Sequence, residues 1–75
     1  MGTTQNIQSM ENISESVRTY RTKKGWSQLE LANRAGLDRK TVNRVENGRF
    51  APSVETLLLV GEALGVSMNN LLGNK

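Results

Sequence analysis

Neither cysteine nor histidine occurs in the 75 residues of this chain. Disulfides, thiol nucleophiles, imidazole bases and zinc sites built on either side chain are therefore excluded. Aromatic residues are scarce as well, with one Trp, one Tyr and one Phe, so the core is expected to be small and aliphatic. No apolar run approaches the roughly 18 residues that a membrane span requires. The opening MGTTQNIQSM has no apolar centre of the signal-peptide kind, and Asn6 breaks the myristoylation pattern. Neither a paired-carboxylate arrangement nor a glycine-rich phosphate loop is present, so an enzyme is not expected. Nor is a metal, a cofactor, a small-molecule ligand or a membrane partner. A chain of this length makes one domain near the lower limit of what folds alone.

What the chain does have is positive charge in one place. Of its ten basic residues, Arg18, Arg21, Lys23, Lys24, Arg34, Arg39, Lys40, Arg44 and Arg49 fall between positions 18 and 49, against only Glu30, Asp38 and Glu46. The flanking segments are mildly acidic. A basic centre of this kind suits a polyanionic partner.

The same centre holds the most structured pattern, from Ser27 to Gly48. Ser27 followed by Glu30 is a capping box, and Leu29, Leu31, Ala32 and Ala35 supply apolar positions of a helix. Gly36 suits the left-handed residue that ends a helix. Leu37 fills the turn, Asp38 can cap a second helix, and Gly48 ends it. At about 100° per residue, Val42 and Val45 share one side of that second helix, and Lys40, Asn43, Arg44 and Asn47 the other. One side packs, and the other carries the amide and cationic groups that read base edges and phosphates. Two short helices joined by a tight turn in this way make a helix-turn-helix.

Around this centre, residues 1–9 are polar and aperiodic and are expected as a flexible tail ahead of a domain over residues 10–75. Asn12 and Glu15 suggest a cap for a first helix reaching Lys24, with Ile13, Val17, Tyr20 and the Lys24 stem on one face. Trp26 precedes the Ser27 cap and is expected to pack at the entry to the next helix. Pro52 and Ser53 start a fourth helix with Val54, Leu57, Leu58, Gly61 and Leu64 at helical spacing; Gly61 would allow another helix to approach closely. Ser67 caps a last short helix with Met68, Leu71 and Leu72. The expected class is all-α, with five short helices.

The ordered set Val17-Arg18-x-Tyr20-Arg21, Gly25-Trp26-Ser27-Gln28, Leu31-Ala32, Ala35-Gly36-Leu37, Val42-x-x-Val45-Glu46-x-Gly48, Pro52-Ser53-x-x-Thr56-Leu57 and Ala63-Leu64-Gly65-Val66 resembles the lambda-repressor-like helix-turn-helix family, the Cro/C1 or XRE type of phage and bacterial regulators. The resemblance runs from Val17 to about Leu72. It implies a compact five-helix domain, a homodimer, and a two-fold-related operator in double-stranded DNA bound through the third helix. It further implies base reading by Arg39, Lys40, Asn43 and Arg44, and phosphate contact by Gln28, Thr41, Asn47 and Arg49. Arg21 and Glu46 match a structural salt bridge between the first and third helices. Asp38 departs from the pattern, which more often has Ser or Thr there. Leu59 stands where a polar residue is usual, and with Met68 and Leu72 it is a candidate for the dimer interface. The function so implied is a cytoplasmic, nucleoid-associated transcriptional regulator, expected to repress. The alternative on the same fold is an antitoxin-type interaction module that also binds its own promoter.

Overall fold

The computed structural model describes residues 2–48 and 51–72, with side chains from Asn12 onward. The described residues form helices α1 (Gly2–Lys23), α2 (Gln28–Ala35), α3 (Arg39–Asn47), α4 (Val54–Leu64) and α5 (Met68–Leu71), and no strand. The first helix packs on α3, α4 and α5, the second on α3 and α4, and α4 on α5.

Local chemistry sets most of the boundaries. The Ser27, Ser53 and Ser67 hydroxyls accept from the backbone N–H groups of Glu30, Thr56 and Asn70, each satisfying one orphan donor of a helix start. Asp38 sits at the N-cap of α3 but makes no side-chain capping bond. The Glu30 carboxylate does not reach back to complete the expected box at Ser27; it accepts from Arg34 Nε one helical turn on, at 2.6 Å. Gly36 closes α2 at φ +72°, and a Cβ there would meet nothing within 4 Å. Its backbone angle, not crowding, is therefore what calls for glycine.

The core is aliphatic, as the composition suggests: Ile13, Val17, Leu31, Ala32, Val42, Val45, Leu57, Val60, Leu64 and Leu71, with Tyr20, Trp26 and Leu37 packed at its edge. The α5 segment is too short to hold itself as a helix. Leu71, fully buried against the other helices, anchors it.

Three expectations are corrected. The helix α1 starts at Gly2 and runs through Asn12, which is therefore an interior residue and not a cap. No Gly or Pro lies between Gly2 and Gly25 to break it. In α2, Leu29 is 53% exposed and does not belong to the apolar stripe, because it lies two residues from Leu31 and points the other way. In α4 the buried stripe is Leu57, Val60, Gly61 and Leu64, whereas Leu58 and Val54 are 58% and 67% exposed. Consecutive apolar residues from Leu57 to Val60 left the inward side open, and Gly61 decides it. A Cβ on Gly61 would stand 3.0 Å from the Val66 carbonyl oxygen and 3.2 Å from Leu71 Cδ1. The chain after α4 thus lies directly against Gly61.

Candidate nucleic-acid interface

The helix α3 is divided by its sequence into two sides. Val42, Val45 and Glu46 are buried, while Arg39, Lys40, Asn43, Arg44 and Asn47 are exposed. Arg39, Lys40, Asn43 and Arg44 together line one shallow depression on the outer side. Among the described residues, none of the three cations there is in a salt bridge. Thr41 is half-buried at the edge of this side. The expected phosphate contact Arg49 lies outside the described residues.

The inner side of α3 is fixed by a polar cluster around Glu46, a carboxylate only 2% exposed. Arg21 Nε donates to its Oε2 at 2.6 Å, and Arg21 Nη2 donates to its Oε1 at 3.0 Å. This fork-to-fork geometry is the strongest form such a pair takes. Gln28 Nε2 donates to the same Oε1 at 3.1 Å. The third guanidinium nitrogen, Arg21 Nη1, donates to the Trp26 carbonyl at 2.7 Å, tying in the turn between α1 and α2. One charged pair therefore joins α1, that turn, the start of α2 and the inner side of α3.

Several contacts here were not foreseen from sequence. Arg18 Nη1 donates to the Glu46 backbone carbonyl at 2.9 Å, at the end of α3 where carbonyls lack helical partners. The signal was available, since Arg18 lies three residues before Arg21 on the same helix side. Gln28 Oε1 accepts from Asn43 Nδ2 at 3.2 Å, and Asn43 Oδ1 accepts from Asn47 Nδ2 at 3.0 Å. Gln28 is thus engaged on both ends of its amide. Trp26 carries a cation over its ring on two counts, with the Arg34 guanidinium 4.4 Å and the Lys24 amine 5.2 Å from the ring centroid.

The candidate interface residues of the C-terminal third lie less freely. Leu59 and Met68 are half-buried and line an apolar groove with Leu57, Leu58 and Val66, flanked by Glu55 and Glu62. Met68 and Leu72 also pack against the protein's own core. Leu58 is the more exposed apolar group of this surface.

A short capped helix, a left-handed glycine turn and a second helix with a packed and a cationic side define a helix-turn-helix domain. The helix-turn-helix family model (HTH_3) matches residues 17–71. The chain belongs to this family, which is one of DNA-binding transcriptional regulators and not of enzymes. It is 40% identical over 60 residues to a hypothetical transcription factor of Neisseria meningitidis, a match covering 80% of this chain and 57% of that protein. It is 30% identical over 64 residues to antitoxin HipB of Escherichia coli, covering 85% of this chain and 68% of HipB. Among solved structures, the restriction-modification controller protein C.AhdI of Aeromonas hydrophila superimposes with a TM-score of 0.78 at 35% identity, covering 83% of this chain and 94% of that one. The chain spans about half the length of several curated relatives. No helix among the described residues is long and apolar enough to cross a membrane.

Proposed function

We propose that this chain is a sequence-specific regulator of transcription that binds a two-fold-related operator in double-stranded DNA as a homodimer, with α3 in the major groove, and that it represses. The observation that carries this reading is the outer side of α3: three cations without salt-bridge partners among the described residues and two amides, on a helix whose other side is locked into the core. Arg39, Lys40, Asn43 and Arg44 reach base edges, while Gln28, Thr41, Asn47 and Arg49 meet phosphates. One copy presents a single recognition helix. Two half-sites one turn of DNA apart, roughly 34–36 Å, need a second copy. The groove of Leu58, Leu59 and Met68 is the surface on which that copy packs, each patch against its own mate. Such a protein acts in the cytoplasm, where bacterial or phage DNA is reached.

In vitro selection from random duplexes tests the reading. An enriched motif with two-fold symmetry and half-sites about one helical turn apart supports it; the absence of any enriched sequence contradicts it. The likeness to HipB favours one second reading, an antitoxin-type module that also binds its own promoter. For that reading the same selection yields a motif, and a tight protein partner is found in addition.

A further inference from the structure

Asp38 stands apart from the residues that open the other short helices. The Ser caps of α2, α4 and α5 each accept a backbone N–H with the side chain, and Asp38, at the same place on α3, does not. Its backbone is fixed all the same, since its carbonyl accepts from the Thr41 N–H at 3.0 Å and the Val42 N–H at 3.2 Å. The side chain is exposed and makes no hydrogen bond or salt bridge among the described residues. Both carboxylate oxygens are therefore free to accept. They stand at the end of α3 from which Arg39 and Lys40 lead into the cationic depression.

For folding, a carboxylate at a helix start is favourable. For binding DNA it is a liability. The first residues of a recognition helix come closest to base edges. An acidic group there is repelled by the phosphates and by the acceptors of the major groove: N7 and O6 of guanine, N7 of adenine and O4 of thymine. The donors it can meet are the amino groups of cytosine, N4, and adenine, N6. Adenine N6 lies between two acceptors, its own N7 and the O4 of the paired thymine. Cytosine N4 has an acceptor, the O6 of the paired guanine, on one side only. Cytosine is thus the base on which a carboxylate loses least, and the bond it accepts there is charge-assisted. We propose that Asp38 is a specificity-determining residue: its carboxylate accepts from N4 of one cytosine in each half-site and penalises duplexes that offer no such donor. The inference rests on the DNA-binding reading above. Arg39, Lys40 and Arg44 keep the interface attractive as a whole, while Asp38 discriminates by repulsion as much as by contact.

The test is selection from random duplexes with the wild-type protein and with Asp38→Ser, the melting temperature of each measured alongside. Serine caps a helix as well as aspartate does, so the variant keeps the start of α3. Asp38→Ser is expected to reduce a cytosine preference at one position of each half-site about tenfold and to leave the other positions unchanged. It is also expected to bind a scrambled duplex more tightly than the wild type, because a charge facing the phosphates is gone. Identical motifs for the two proteins overturn the proposal. So does an equal loss of affinity on selected and scrambled duplexes, which would make Asp38 a cap and nothing more. A wild-type protein that enriches no sequence defeats the DNA-binding reading itself, and the proposal with it. A second measurement needs no variant. N4-methylcytosine at the selected position keeps the N–H that pairs with guanine and replaces the one that faces the groove. The wild-type protein should bind that duplex about tenfold more weakly than the unmodified one. Equal binding of the two duplexes contradicts an Asp38 contact to N4.

Discussion

Glu46→Ala removes the acceptor of three hydrogen bonds at once, two from Arg21 and one from Gln28. The Arg21 side chain is 14% exposed and keeps only its bond to the Trp26 carbonyl. A cation stripped of its partner in such a place costs about 3–5 kcal/mol, and the residual exposure of Arg21 puts this case near 3. A chain of this size has a total stability of about 4–11 kcal/mol. At about 4–8 °C per kcal/mol for a domain this small, melting should fall by about 12–24 °C. The internal control is Glu30→Ala, which breaks the i,i+4 pair with Arg34. Those two side chains are 43% and 52% exposed, so the loss is about 0.3–0.5 kcal/mol and a few degrees at most. Far-UV circular dichroism on heating, without DNA, reads both. If Glu46→Ala melts no lower than Glu30→Ala, Glu46 does not hold the fold and its burial has been misread.

Other expectations follow from particular contacts. Leu71→Ala should cost about 2–5 kcal/mol in urea unfolding, since the shortest helix is held by this fully buried side chain; a loss under about 1 would refute that role. Gly61→Ala should destabilise by about 1 kcal/mol, the crowding against the Val66 carbonyl outweighing the helix propensity gained, and a raised melting temperature would contradict it. Leu58→Lys should leave the melting of the monomer within a degree or two, because the side chain is 58% exposed, yet weaken self-association in analytical ultracentrifugation. Unchanged association would move the dimer surface elsewhere. Arg44→Ala should cost roughly 1–3 kcal/mol on the selected duplex and relax preference at one base pair, whereas an equal loss on a scrambled duplex would make Arg44 a backbone contact.

The helix-turn-helix was legible in sequence because local chemistry carries it. Ser27, Gly36 and Gly48 mark ends that depend on a few neighbouring residues, and Val42 and Val45 against Lys40, Asn43, Arg44 and Asn47 show the two sides of α3 without tertiary information. The face of α4 was not legible, since four apolar residues in succession have no period; the close pass of Val66 and Leu71 over Gly61 chooses it. The start of α1 is hidden in the sequence for the opposite reason: Asn12 and Glu15 have the spacing of a cap, but nothing upstream interrupts the helix. The exposure of Leu29 is legible, because a separation of two residues from Leu31 already puts it on another side. The Arg21–Glu46 pair was anticipated through family likeness alone, as its members are 25 residues apart. The Gln28–Asn43 bond, 15 residues apart, had no signal in spacing or composition.

The proposed function stands or falls with DNA reading by the outer side of α3. It is tested most directly by fluorescence-anisotropy titration of the selected duplex against a scrambled one across a range of salt concentrations. Binding to the selected duplex is expected to be at least about 10³-fold tighter than to the scrambled one. Log K is expected to fall linearly with log salt, with a slope near −0.9 for each phosphate neutralised. Equal affinities on both duplexes, with a slope close to zero, would contradict it.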